Sequence, residues 1–347
     1  MNKLAKNISV KINDLVFDQN TTRLSVGTET GFVKYSLTEN IQKSVTGKLT
    51  GSVGKLYNYD DTNLSIVAGG GTNPFRSKNV FVVWLDDKMA FAASVNVKEE
   101  IKNLCIVKNL SSDDSSSWWY VITTLYNIII FDHDCNLIYK KATFYNPTGI
   151  CHVTEKPFTI ATLGSKEGEV CVWNPENNKY TSIIAHDSSI TVVKLSNHKK
   201  QMIATASLNS TNIHVYCADT GDKLSEYRRG VNIVSKTSIY DIAFSHNNLL
   251  ACCSSNGTIH IFDIKDTIDK NSKDISNEIS VLSFAKDYLP KYFSSQWAKY
   301  KNYIGTKCKM ICQFDKDNSL HIAAYDGQYY RVSGKSYNLI RGNKLCV

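Results

Sequence analysis

Short strand-like segments that carry an aromatic residue near their end recur along the whole chain. Each is rich in β-branched residues and is followed by a turn of Asn, Asp, Ser or Gly, a pattern typical of β-strands. The segments are GFVKYSL, VFVVWLDD, NIIIFDHD, GEVCVWNPENN, NIHVYCADTGDKL, TIHIFDIKD and YYRVSGK. Their aromatic residues are Tyr35, Trp84, Phe131, Trp173, Tyr216, Phe262 and Tyr330. The recurrence predicts one structural unit that is used many times.

The spacing of these aromatic residues predicts a propeller. Successive steps are 49, 47, 42, 43, 46 and 68 residues, and all but the last are close to the roughly 40–45 residues of a four-stranded blade. We therefore expect an all-β, seven-bladed β-propeller of WD40 type that forms one domain over residues 1–347. The long last step predicts an insertion between the sixth and seventh aromatic residues. A pair of β-sandwiches is the alternative, but it does not explain the near-constant spacing.

The composition narrows the range of partners and cellular compartments that we expect for this protein. The formal net charge of +8 suits a protein that meets phosphate on nucleic acid or on a membrane. Ten cysteines are present without two pairs at zinc spacing, so we expect reduced thiols in a cytoplasmic protein and no metal site. The N-terminal segment has no apolar core of a signal peptide, and no run is long enough to cross a bilayer. Any membrane contact is therefore expected to be peripheral.

Catalytic motifs are not visible in the sequence. It contains no P-loop, nucleophile elbow or metal-binding constellation. We expect a protein that is not an enzyme and needs no cofactor. The positive charge alone leaves nucleic-acid binding open, and such binding would weaken steeply with salt and show no head-group preference.

Two adjacent arginines, Arg228 and Arg229, occur in the stretch EYRRG between two strand-like segments. Successive side chains of a strand leave on opposite faces, so the pair predicts two anion sites rather than one clamp. Each guanidinium matches phosphate through its planar fork of donors. Hydroxyl and imidazole groups that could complete the two sites are His186, Ser207, Ser210, Thr211, His214, Ser254, Ser255, Thr258 and His260.

A purely structural role explains the same residues from the sequence alone. The arginines can be solvated or can pair with carboxylates such as Glu226 and Asp219. Ser, Thr and His in repeated strands commonly satisfy hydrogen bonds within a blade. Both interpretations stay open at this point.

Longer stretches of the chain resemble the PROPPINs, a family of seven-bladed propellers. YRRG resembles the family signature L/F-R-R-G. The other matching stretches are LVFDQNTTRLSVGTETGFVKYSL, VAGGGTNPFRSKNVFVVWLDD, IIAHDSSITVVKLSNHKKQMIATAS, SIYDIAFSHNNLLACCSSNGTIHIFDI and LPKYFSSQW. The resemblance implies a phosphoinositide effector that binds PtdIns3P and PtdIns(3,5)P2 and recruits partners in autophagy or endolysosomal traffic. It implies a peripheral protein of autophagosomal-precursor, endosomal or vacuolar-type membranes, with no nucleic-acid partner.

The resemblance also assigns two lipid sites. The first site would contain Arg228, His186, Ser207 and Thr211, and the second would contain Arg229, Ser254, Thr258 and His260. Three positions depart from the family pattern. Tyr227 replaces a usual Leu or Phe, Ser210 a usual Gly, and His214 a usual Arg.

The insertion is similar to a sixth-blade loop with which the family enters the bilayer, and we expect that loop at about residues 265–296. Its first half, through Glu278, is polar and predicts a mobile loop. Its second half has apolar residues at helical spacing beside lysines, which suits a membrane surface. Membrane insertion is expected for Val281, Leu282 and Phe284, whereas the distal part of the apolar stripe is expected to pack on the propeller.

A protein partner is expected on the early blades. The stretch FDQN resembles a family loop that faces a lipid-transfer or autophagy protein, so Asp18 and Asn20 are candidate partner-binding residues. The family pattern there is closer to F-N-Q-D, so the two residues are exchanged. We expect a monomer in solution. The alternative function is a WD-like protein-interaction scaffold that works without lipid.

Overall fold

The described strands form seven sheets, each of four antiparallel strands, and one sheet gains a fifth strand in parallel. The structure is a computed structural model that describes residues 11–38, 41–60, 62–108, 117–208, 210–229, 237–272, 296–342 and 344–345. Each sheet is one blade of a propeller, so the predicted fold is confirmed.

The strands follow the chain blade by blade. The first three blades contain β1 (Ile12–Phe17), β2 (Arg23–Thr28), β3 (Gly31–Leu37), β4 (Ile41–Lys48), β5 (Val53–Asn58), β6 (Leu64–Gly69), β7 (Val80–Leu85), β8 (Ala90–Asn96), β9 (Asn103–Lys108), β10 (Trp118–Thr123), β11 (Asn127–Phe131) and β12 (Leu137–Ala142). The fourth and fifth blades contain β13 (Cys151–Glu155), β14 (Phe158–Leu163), β15 (Glu169–Asn174), β16 (Lys179–Ile184), β17 (Ile190–Leu195), β18 (Met202–Ser207), β19 (Asn212–Cys217) and β20 (Lys223–Arg228). The sixth and seventh regions contain β21 (Ile239–Phe244), β22 (Leu249–Ser254), β23 (Thr258–Asp263), α1 (Lys265–Ser272), β24 (Gln296–Trp297), β25 (Tyr300–Tyr303), β26 (Met310–Phe314), β27 (Leu320–Ala324), β28 (Tyr329–Val332) and β29 (Leu339–Arg341).

The repeated aromatic residues occupy equivalent places. Each lies in the third strand of its blade, which is β3, β7, β11, β15, β19, β23 or β28. The first strands of neighbouring blades contact one another around the ring, and the fourth strand is the outermost in most blades. The spacing of the aromatic residues is therefore the number of residues between the third strands of successive blades.

How far a strand is buried depends on its position within the blade. The second strands β18 and β22, MIATAS and LLACCS, are buried along their whole length because both faces are covered by neighbouring blades. The outer strand β12 is mostly exposed. The apolar cores therefore lie between blades. One core joins β21–β23 to β26–β28, and another joins β18–β20 to β22 and β23.

The ring closes by contacts between the seventh and first blades. The Gln313 side-chain amide donates to the backbone carbonyl of Asp18 at 2.6 Å, and the Thr21 hydroxyl donates to the carbonyl of Phe314 at 2.8 Å. Ile12 and Leu345 belong to the apolar cluster shared by the two blades. Closure thus buries apolar surface and satisfies polar groups at the point where the chain ends meet.

The insertion lies where the long last step predicts it, between the third and fourth strands of the sixth blade, β23 and β25. Its beginning differs from the expected polar loop, because residues 265–272 form α1. The Thr267 hydroxyl is buried and lies 2.5 Å from the Tyr227 hydroxyl and 2.6 Å from the Ser225 hydroxyl. These contacts fix α1 against β20. At the far end of the insertion, β24 pairs with β20 in parallel as the fifth strand of the fifth blade.

A buried lysine joins the first two blades. The ammonium of Lys34 is fully buried and donates to Asp86 at 2.6 Å, to Asn58 at 2.6 Å and to Ser65 at 2.5 Å. Burial lowers the pKa of Lys34, and the Asp86 carboxylate opposes that shift. Asp86 also accepts a hydrogen bond from the indole of Trp84 at 3.0 Å. Removal of the carboxylate would leave a buried charge without its counter-ion, which is costly.

We expect Asp86→Ala to lower the free energy of unfolding by about 3–5 kcal/mol, as measured by urea denaturation. The matched control is Asp87→Ala, which removes the same charge from the exposed neighbouring side chain and should change stability by about 0.5 kcal/mol or less. Equal stability of the two variants would contradict a stabilising role for the Lys34–Asp86 pair.

Candidate anion-binding sites on the fifth and sixth blades

The two adjacent arginines lie at one end of the fifth blade. Arg228 is the last residue of β20 and pairs with Asn212 on one side and with Trp297 on the other. The backbone N–H of Arg229 donates to the carbonyl of Thr211 at 3.0 Å. The backbone on both sides of Arg228 is thus held by neighbouring strands, so the direction in which each side chain leaves is set by the strand alternation.

The two faces of β20 contact different parts of the protein. Tyr227 packs against Phe262 of the sixth blade, with ring centroids 5.2 Å apart. Arg229 follows on the same face, and its guanidinium donates to the carbonyl of Thr237 at 3.4 Å. Glu226 and Arg228 share the opposite face, where Glu226 contacts His214 of β19. Strand alternation therefore directs the two arginines to opposite faces of the fifth blade, and the face of Arg229 meets the sixth blade.

The first predicted set, Arg228, His186, Ser207 and Thr211, lies at this end of the fifth blade. Ser207 ends β18 and is buried, and Thr211 immediately precedes β19. His186 lies between β16 and β17, and its Nε2 is 3.0 Å from the Thr205 hydroxyl. Burial and the adjacent His214 lower the pKa of His186 to about 4. His186 is thus held by side chains of the same blade rather than by solvent.

Two further residues complete the surroundings of the first set. The ring of His214 stacks on that of His186, with centroids 4.3 Å apart and an interplanar angle of 7°. Glu226 accepts hydrogen bonds from Asn212 at 2.7 Å and from Lys223 at 2.8 Å. From the sequence alone, Glu226 is only an alternative partner of the arginines. Glu226 precedes Arg228 by two residues in the sequence. Strand alternation therefore predicts that both side chains lie on the same face.

The second predicted set, Arg229, Ser254, Thr258 and His260, is buried throughout. The hydroxyls of Ser254 and Thr258 are 2.7 Å apart, and both contact the side-chain carbonyl of Asn256. Burial, followed by the charges of Arg229 and Lys301, lowers the pKa of His260 to about 4. The positive charge of Arg229 contributes to this shift because it disfavours a second positive charge on the imidazole.

Two buried nitrogen atoms of the second set lack a hydrogen-bond partner within the described part of the chain. They are Nε of Arg229 and Nδ1 of His260. An unsatisfied buried polar atom is costly, so such atoms in a folded protein point to a ligand or to ordered water. Burial also lowers the pKa of Arg229, and an anion would offset the cost of burying its charge. The surroundings of the second set therefore suit an anionic ligand.

The predicted partner-binding residues lie in the turn between β1 and β2. The Asp18 carboxylate is buried and accepts backbone hydrogen bonds from Thr22 at 2.7 Å and from Arg23 at 3.1 Å. The half-buried Asn20 donates its backbone N–H to Asp60 at 3.3 Å. Asp18 thus shapes its own turn, and Asn20 is the more accessible of the two.

Other predicted features concern the insertion and metal binding. Val281, Leu282 and Phe284 lie outside the described residues. Among the residues that the structure describes, no group of three or more His, Cys, Asp or Glu side chains is placed to hold a metal ion. Within the same ranges, no helix has the length and apolar character needed to cross a membrane.

Comparisons with known proteins agree on one family. The PROPPIN family model matches residues 11–330. Autophagy-related protein 18e of Arabidopsis thaliana is 28% identical over 330 residues, which cover 93% of this chain and 83% of that protein. SVP1-like protein 2 of Schizosaccharomyces pombe is 27% identical over 259 residues, which cover 73% of this chain and 68% of that protein.

Solved structures show the same propeller fold. The crystal structure of Kluyvelomyces marxianus Hsv2 has a TM-score of 0.72 at 19% identity and covers 98% of this chain and 100% of that one. A complex of KlAtg21 with the coiled coil of AgAtg16 contains a chain with a TM-score of 0.72 at 18% identity, covering 96% of this chain and 99% of that one.

The lowered pKa of His260 predicts a loss of stability in mild acid. The pKa is 6.5 for an unperturbed histidine and about 4 in the folded protein. The unfolded chain therefore takes up the proton first as the pH falls, so stability is lost from about pH 6.5 downward until the folded protein is protonated near pH 4. We expect His260→Gln to lose less stability than the wild type between about pH 7 and about pH 5, by on the order of 1 kcal/mol.

The measurement is urea unfolding at both pH values, and the matched control is the exposed His246 changed to Gln. His246→Gln should follow the wild type. A His260→Gln protein that loses as much stability as the wild type would contradict the burial of a neutral imidazole at this position.

Proposed function

Because the chain belongs to the PROPPIN family, we propose that it is a non-enzymatic phosphoinositide effector that recruits partners to membranes in autophagy or endolysosomal traffic. The ligands are PtdIns3P and PtdIns(3,5)P2. The observation that carries this proposal is that Arg228 and Arg229 follow one another at the end of β20, where strand alternation directs adjacent side chains to opposite faces. The naming of its relatives as autophagy-related proteins supports the cellular role.

The first lipid site is formed by Arg228 with His186, Ser207 and Thr211. The second is formed by Arg229 with Ser254, Thr258 and His260. The second has the stronger physical support, because all four of its residues are buried and it includes the buried guanidinium of Arg229, whose charge an anion would compensate. A phosphate oxygen accepts hydrogen bonds from the guanidinium N–H groups and compensates the buried guanidinium charge.

Two sites on one rigid strand explain how weak individual contacts hold the protein on a membrane. One basic side chain near anionic lipid contributes only about 1 kcal/mol. When one head group is bound, the second binds at a high effective concentration, and avidity rises by roughly 10² or more if both sites can engage. The backbone pairing of Arg228 with both neighbouring strands keeps the two sites at a fixed separation.

Membrane insertion by Val281, Leu282 and Phe284 would add apolar burial to head-group binding. The described residues on either side of this segment support the proposal that it projects from the propeller beside β20. Helix α1 packs on β20 through Thr267, and β24 pairs with β20. The chain therefore leaves and rejoins the propeller beside the strand that carries both arginines.

A protein partner on the early blades is a further part of the proposal. The solved complex of KlAtg21 with the AgAtg16 coiled coil shows that a protein of this fold can bind an autophagy protein. We assign partner contact to the turn of Asp18 and Asn20, with Asn20 as the accessible side chain. The protein is a cytoplasmic monomer that binds autophagosomal-precursor, endosomal or vacuolar-type membranes from the outside.

We expect Arg228→Thr/Arg229→Thr to lose flotation with liposomes that contain PtdIns3P, with the floated fraction reduced about tenfold or more because the avidity of two sites disappears. The measurement is density-gradient flotation with and without PtdIns3P in otherwise identical phosphatidylcholine vesicles. Equal flotation of the double variant and the wild type would refute the site assignment.

The matched control is Lys199→Thr/Lys200→Thr. It removes the same two positive charges from the same blade, but from the exposed turn between β17 and β18, at the opposite end from Ser207. This variant should float like the wild type. A similar loss in both variants would indicate attraction by net charge instead of two defined sites.

A further inference from the structure

Tyr227 is one of the positions at which this chain departs from the family pattern, and it brings a hydroxyl group into β20. The side chain is fully buried, and a buried tyrosine hydroxyl needs a hydrogen-bond partner. The partner is the hydroxyl of Thr267 in α1, which is also fully buried and lies 2.5 Å away. A polar contact therefore joins β20 to the first helix of the insertion.

The direction of each hydrogen bond follows from the single proton that each hydroxyl carries. Ser225 donates to the carbonyl of Leu224 at 2.7 Å, because a carbonyl only accepts. Ser225 therefore accepts from Thr267 at 2.6 Å, and Thr267 accepts from Tyr227 at 2.5 Å. Each hydroxyl donates once in this chain of bonds, and α1 supplies the acceptor for the proton of Tyr227.

Helix α1 depends on the propeller for its stability. It contains 8 mostly polar residues, and an isolated helix shorter than about 12 residues is marginal in water. Besides the Thr267 contact, Ile268 packs against the apolar cluster that contains Tyr227 and Phe262. Loss of these contacts would undock and unfold the helix. The hydrogen bond between Thr267 and Tyr227 therefore shifts the balance between docked and undocked α1.

Tyr227 also connects α1 to the second set of site residues. Its ring packs on Phe262 with centroids 5.2 Å apart, and the ring of Phe262 stacks on that of His260 at 6.5 Å. Tyr227 precedes Arg229 by two residues, so both lie on the same face of β20. Close-packed interiors transmit displacements. A continuous set of contacts thus runs from Thr267 through Tyr227 to His260, and Tyr227 anchors the end of the strand that carries Arg229.

The first set of site residues lies away from this contact. Arg228 is on the opposite face of β20, and His186 contacts Thr205 and His214 of the fifth blade. Undocking of α1 is therefore expected to disturb the second set and to spare the first.

We propose that Thr267 and Tyr227 are positioning residues for the second lipid site, so that docking of α1 on β20 and head-group binding by Arg229 and His260 favour one another. This inference rests on the proposed function and adds its regulation. Any event on the insertion that undocks α1 weakens the second site and leaves the first unchanged. Because coupling is reciprocal, a head group in the second site also holds α1 on the propeller.

The test measures the two sites separately with soluble inositol 1,3-bisphosphate, the head group of PtdIns3P. Arg228→Thr retains the second site, Arg229→Thr retains the first, and Thr267→Val is added to each. Valine removes the acceptor for the proton of Tyr227 and leaves that hydroxyl buried without it. Calorimetric titration should show a dissociation constant that is about fivefold higher at the second site and unchanged at the first.

A rescue variant and a matched control accompany this test. Tyr227→Phe/Thr267→Val in the Arg228→Thr background removes both partners and leaves an apolar contact, so it should restore the affinity of the second site. This rescue would also show that the fold tolerates the change in α1. The control is Thr220→Val, which removes a hydroxyl from the exposed turn between β19 and β20. It should leave both sites unchanged.

Reciprocity gives a second measurement that needs no change in α1. Saturation with inositol 1,3-bisphosphate should slow hydrogen exchange of the α1 amides about fivefold in Arg228→Thr. The same ligand should leave this exchange unchanged in Arg229→Thr, which retains the first site alone.

An unchanged dissociation constant at the second site of the Thr267→Val protein, an equal increase at both sites, or no recovery in the rescue variant would each overturn the inference and leave the lipid-binding function intact. Exchange of the α1 amides that does not respond to the head group in Arg228→Thr would do the same. Absence of binding to inositol 1,3-bisphosphate and to PtdIns3P vesicles by the wild type would instead overturn the proposed function, and the inference with it.

Discussion

The alternation of side chains along β20 is the constraint on which the sites depend. Because β20 is paired on both sides at Arg228, the strand cannot rotate to bring Arg228 and Arg229 together. The face of Tyr227 and Arg229 meets the sixth blade, and on the opposite face Glu226 contacts His214 of β19. A strand with period two thus distributes two adjacent cations between two separate environments.

The two environments differ in burial and in whether a carboxylate lies near the positive charge. Arg229 and His260 are both buried, and burial lowers the pKa of Arg229. Arg228 shares its face with Glu226, whose carboxylate is held by Asn212 and Lys223. Similar sequences around the two arginines therefore surround a buried guanidinium in one case and, in the other, an arginine that shares its strand face with a carboxylate.

The sequence was sufficient to predict the propeller, because the spacing of strand-end aromatic residues such as Trp84 and Trp173 measures the length of a blade directly. Its assignment of particular residues to two lipid sites stays a prediction. It did not predict α1, since Lys265–Ser272 is mostly polar and is fixed by tertiary contacts, among them the buried hydroxyl of Thr267 and the packing of Ile268. The contact of His214 with Ala185 and Glu226 depends on the register of three strands and on a neighbouring blade, which local patterns do not encode.

The separation of the two arginines is tested most directly by counting bound head groups. Calorimetric titration with soluble inositol 1,3-bisphosphate should give two binding sites per chain in the wild type and one in each of Arg228→Thr and Arg229→Thr. A single site per chain that disappears in either variant would mean that both guanidinium groups hold one ligand, and it would contradict the account.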